Sequence, residues 1–93
     1  MELNREMMEL IGELAKLSAE IRHTEKYADS LRRTREAFEH EGISSEVTLK
    51  FTFDIVDQER KIKKLTGEAM NRVHALAELY NAIPPTESQE VQP

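Results

Sequence analysis

The spacing of apolar residues constrains this chain more than any other feature in it. From Leu3 to Phe38, positions 3, 7, 10, 14, 17, 21, 24, 28, 31, 35 and 38 step alternately by four and by three, and only Thr24 and Arg35 among them are not apolar. That alternation keeps one narrow stripe of a helix facing the same way turn after turn, as in the a/d seam of a coiled coil. No proline interrupts it. A second seam follows at 51, 55, 58, 62, 65, 69, 72, 76, 79 and 83, broken only by Gln58 and Arg72.

The stretch between the seams carries stop and start signals. Gly42 can adopt the left-handed conformation that ends a helix, and Ile43 is placed for the apolar contact that often accompanies such an end. Ser44 or Ser45 can cap a second helix whose first turn holds Glu46. Pro84 disfavours a helical residue before it, and Pro85 repeats the block. The expected organisation is therefore all-α: a helix over 2–41, a turn over 42–45, a helix over 46–83, and a disordered polar tail over 84–93. Each helix would be roughly 60 Å long.

Residues 46–53 also support a different reading. Val47, Leu49, Phe51, Phe53 and Ile55 alternate with polar residues at period two, and β-branched and aromatic types dominate, which is a strand signature. A helix-strand-helix chain would have to pair that strand with its copy in a second chain, because one strand has no partner of its own. The matched lengths of two helices favour the hairpin.

Folding the chain at its turn makes neighbours of residues whose numbers add to about 87. Phe38 would then meet Leu49, Leu31 would meet Val56, Leu17 would meet Met70, Leu14 would meet Val73, Leu10 would meet Ala77, and Met7 would meet Tyr80. Acid–base pairs four residues apart would decorate the outside: Asp29–Arg33, Arg32–Glu36, Arg35–Glu39, Asp57–Lys61, Glu59–Lys63 and Glu68–Arg72.

A hairpin consumes one stripe per helix, and both helices have apolar residues to spare. Met8, Ile11, Ala15 and Ala19 flank the first seam, with Gly12 beside them open to the close approach of another backbone. Met70, Val73, Ala77 and Tyr80 widen the second. A chain of 93 residues buries only about 60% of its unfolded surface, so a lone copy has little core of its own. Two hairpins meeting on these stripes would build a four-helix bundle, and the homodimer is the expected state.

Charge and composition narrow the function. The formal net charge of -5 argues against generic affinity for nucleic acid or anionic membrane. The bases nevertheless gather in the middle of the rod, where Arg22, Lys26, Arg60, Lys61 and Lys64 form a candidate patch for an acidic partner, with Lys26 beside Lys61 and Arg22 near Lys64. Cysteine is absent, which removes disulfides, thiolate metal sites and cysteine nucleophiles and suits a cytoplasmic location. Glu20-Ile21-Arg22-His23 has the Glu-x-x-His spacing of carboxylate metal bundles, but it occurs once and flanks the seam instead of pointing inward. His74 would face Glu13 as a surface ion pair, and His40 sits among acids at the turn. With no glycine-rich phosphate loop and no hydroxyl set beside a histidine and a carboxylate, no enzyme, cofactor or metal is expected.

The paired-helix plan is similar in outline to the secreted Trp-x-Gly hairpins of bacteria and to type III secretion needle subunits and their chaperones. The turn Glu41-Gly42-Ile43-Ser44 lacks the tryptophan of the former, and the similarity implies architecture alone. The expected function is that of a protein-binding helical module: a small, self-associating adaptor, chaperone or inhibitor with an unidentified protein partner. A nucleic-acid-associated regulator using the basic band, or a subunit that only assembles, are the alternatives.

Overall fold

The computed structural model describes residues 4–82. The first helix, α1, spans Arg5–His40 and the second, α2, spans Ser45–Asn81, of 36 and 37 residues. Residues 46–53 are helical, so the strand alternative fails. Of the apolar residues in that stretch only Phe51 lies on the α2 seam and is half-buried, while Val47, Leu49 and Phe53 stay exposed on the helix. The proposed tail and the helix ends at positions 2, 3 and 83 lie outside the described residues.

Local chemistry sets the ends. Asn4 caps α1, its side-chain oxygen accepting from the Met7 backbone N–H at 2.8 Å and satisfying a donor that the first turn cannot pair. At the other end Gly42 turns left-handed, with φ +73°. The Gly42 N–H donates to the Glu39 carbonyl at 3.1 Å, and the Ile43 N–H donates to that of Phe38 at 3.0 Å. These two bonds are a Schellman closure, which pairs carbonyls that the last turn leaves open. Ser44 then restarts the helix, its hydroxyl accepting from the Glu46 N–H at 3.2 Å.

The two helices pack antiparallel into an extended rod about 55 Å long and only two helices thick. Both seams face inward as the spacing predicts. Met7, Thr24, Ala28 and Leu31 of α1 and Ile55 and Leu65 of α2 are buried, and the seam positions between them are half-buried. Among the described residues no large side chain is wholly enclosed. A seam residue has only one helix to face, so water reaches it from the side.

The polar members of the seams find local partners. Thr24, 2% exposed, donates its hydroxyl to the Glu20 carbonyl one turn back at 2.8 Å. Arg35 reaches the Thr52 hydroxyl at 3.1 Å and the Glu39 carboxylate at 3.7 Å. Arg72 donates to the Glu68 carbonyl at 3.4 Å and lies 3.8 Å from the Glu13 carboxylate on α1.

Near the turn the expected register holds in level, but Phe38 faces a different residue from the one expected. Arg35 meets Thr52 as the level rule predicts, but Phe38 stacks on Phe51 and not on Leu49. Leu49, Val56, Met70, Val73 and Tyr80 all keep substantial exposure, so each flanks the seam and does not fill it. Met7 and Tyr80 line one groove together, in keeping with their expected pairing.

Most of the expected surface ion pairs are also replaced. Arg35–Glu39 forms, but Asp29 pairs with Arg32 at 2.8 Å in place of Arg33. Arg32 also reaches across to Glu59 at 3.5 Å, which removes Glu59 from Lys63 and Arg32 from Glu36. Lys61 turns to Glu20 on α1, 3.9 Å away, and not to Asp57. Cross-hairpin acids compete with same-helix acids for long, flexible bases, and all of these pairs are exposed and weak.

Candidate protein-docking face

At the end of the rod where α1 begins and α2 finishes, two shallow grooves flank the seam. One is lined by Met7, Ile11, Val73, Leu76, Ala77, Tyr80 and Asn81 and is almost wholly apolar, with a volume of about 400 Å³. The other is lined by Glu6, Glu9, Leu10, Glu13, Ala75, Glu78 and Leu79, so carboxylates rim it. The helical repeat explains the division. Ile11, Val73, Ala77 and Tyr80 each lie one position after or four positions after a seam residue, on one side, while the glutamates occupy the other side.

Of the nine residues expected to form an interface, the structure brings Ile11, Val73, Ala77 and Tyr80 into one groove. Met8, Gly12, Ala15, Ala19 and Met70 are exposed but do not line it. Met8, Ile11, Met70, Val73 and Tyr80 each keep between 42% and 60% of their surface in water. The groove floor, Met7 and Leu76, belongs to the seam, and the sequence reading did not include it. Gly12 serves no packing role within the chain, since a methyl group there would meet nothing within 4 Å.

A second apolar cluster escaped the sequence reading. Near the turn, Leu49, Phe53 and Val56 stand on the outer side of α2, with Leu49 and Phe53 52% and 60% exposed. Their spacing of four and then three was the available signal, hidden because those residues were assigned to seam partners or to a strand.

The middle of the rod is less basic than its lysines and arginines suggest. Arg22, Lys26, Arg60, Lys61 and Lys64 are exposed, but Lys61 lies against Glu20, and the adjacent surface is lined by Glu25, Asp29, Arg32, Glu59, Ile62 and Lys63. His74 does not take Glu13, which Arg72 holds instead. Among the described residues no three His, Asp or Glu side chains are placed to share a metal ion, and no helix is long and apolar enough to cross a membrane.

Fold and surface together define an antiparallel two-helix hairpin that carries an exposed apolar face beside an acidic one. No protein-family model, curated protein or solved structure matches the chain.

Proposed function

We propose that this hairpin is a protein-binding helical module without catalytic activity, a small self-associating adaptor, chaperone or inhibitor that works through apolar helix faces in the cytoplasm. The observation that carries this reading is the groove of Ile11, Val73, Ala77 and Tyr80 floored by Met7 and Leu76. It is open to water and almost wholly apolar, the character of a face on which an amphipathic helix docks. Large apolar side chains held on one exposed face mark interaction surfaces in folded proteins. Met7, Met8 and Met70 suit that role, because thioether side chains adapt to different contact shapes.

Light scattering coupled to size-exclusion chromatography tests the self-associating part of the reading. A dimer at micromolar concentration that Val73→Glu converts to a helical monomer supports it, and a wild-type monomer throughout removes it. The basic band supports a nucleic-acid regulator less well, because acids are interleaved with its bases. Binding to a duplex that weakens steeply between 50 and 200 mM salt would favour that reading instead.

A further inference from the structure

The two apolar clusters on α2, and the charges between them, point to one particular partner geometry, which rests on the self-association proposed above. Leu49, Phe53 and Val56 lie towards the turn, Met70, Val73 and Tyr80 towards the chain ends, and Glu59 and Lys63 stand between. We propose that a second copy packs antiparallel along α2, so that the turn-end cluster of each chain seats in the terminal groove of the other.

Charge selects the direction and the register. In a parallel pair Glu59 would face Glu59 of the second copy and Lys63 would face Lys63, setting like charges together twice. In an antiparallel pair centred on the level of Lys61, Glu59 of each copy faces Lys63 of the other, giving two reciprocal opposite-charge contacts. The same register sets Leu49 opposite Val73, Phe53 beside Met70 and Ile43 beside Tyr80. Every one of those six side chains is exposed in the single chain. Glu59 is already 3.5 Å from Arg32, so the contact would extend a charge cluster and not isolate an acid.

Area argues the same way. The residues of the two clusters, with Met8 and Ile11, expose roughly 800 Å² per copy, so complete cover of both would remove at most about 1,600 Å² from water, the size of a standard specific interface. A contact between the chain-end clusters alone would remove only roughly 1,000 Å², at the lower bound for such interfaces, and would leave Leu49 and Phe53 in water.

The chain has no cysteine, which makes the test direct. Leu49→Cys and Val73→Cys chains, mixed and mildly oxidised, should give the mixed disulfide dimer, with little self-linked product from either variant alone. A scattering dimer in which Val73→Cys or Ala77→Cys links efficiently to itself, or in which the mixture does not link, overturns the antiparallel register while leaving self-association intact. A monomer at every concentration removes self-association itself. As a second arm, Glu59→Lys should weaken the dimer about tenfold, and adding Lys63→Glu should restore it. Failure of the charge swap to restore the dimer also counts against the register.

Discussion

The ring of Phe38 meets the ring of Phe51 edge-on, with centroids 5.3 Å apart and planes at 75°, and this pair closes the hairpin seam at its turn end. The geometry sets a positive ring edge against a negative face, which adds to the apolar burial. Both rings are only half-buried, so Phe51→Ala should cost about 2 kcal/mol, below the range for an enclosed phenylalanine. Leu49→Ala, two residues away but outward-facing, should cost well under about 1 kcal/mol. Urea unfolding of both variants, at a concentration where scattering reports a single chain, checks the contrast; equal losses would mean that Leu49 is the true seam partner.

Ala28 is 0% exposed, so its methyl group is enclosed between the helices with no open side for a larger side chain. Ala28→Leu should destabilise by about 1–3 kcal/mol through overpacking. Thr24→Val, four residues earlier, exchanges one satisfied hydroxyl for a methyl of nearly equal size and should shift stability by less than about 1 kcal/mol. Thermal melts followed by circular dichroism distinguish the two positions.

The three glycines should respond in opposite directions. At Gly42 a side chain has space, but the backbone is left-handed, so Gly42→Ala should cost about 1 kcal/mol, with Gly42→Asn costing less. Gly12 and Gly67 sit in ordinary helix with open space where a side chain would go, so Ala at either should stabilise by up to about 1 kcal/mol. That gain corresponds to a rise in Tm of about 4–8 °C for a chain of this size. Should Gly12→Ala instead weaken a dimer, another backbone must approach at that point.

Asn4 holds the first turn by one side-chain bond, and Met7, buried beneath it, depends on that turn. Asn4→Ala should cost about 1 kcal/mol and speed hydrogen exchange at the Met7 amide, whereas Asn4→Asp should retain the cap. Unchanged exchange at Met7 would show that packing alone holds the end.

Raising salt from 50 to 500 mM should move the unfolding midpoint little. The cross-hairpin pairs Arg32–Glu59, Lys61–Glu20 and Arg72–Glu13 are exposed and at 3.5–3.9 Å, where each contributes under about 1 kcal/mol and is screened. A large loss of stability would assign those pairs a structural role that their exposure argues against.

The sequence by itself determined the helices, their seams, the turn and its caps. These depend on the 3.6-residue repeat, on the backbone freedom of Gly42 and on the hydroxyl of Ser44, all local properties. It also held the apolar surplus at Ile11, Val73, Ala77 and Tyr80, because residues beside a seam cannot face into it. Only the tertiary structure decided how α2 is rotated about its own axis, and so that Phe51, not Leu49, meets Phe38. It likewise decided that Lys61 takes Glu20 and Arg32 takes Glu59, since a long flexible base chooses among acids whose positions are fixed only once the helices have packed. Leu49, Phe53 and Val56 lie off the seam by their spacing alone, but which level of α1 stands opposite them, and so whether anything covers them, was settled only by how the two helices pack.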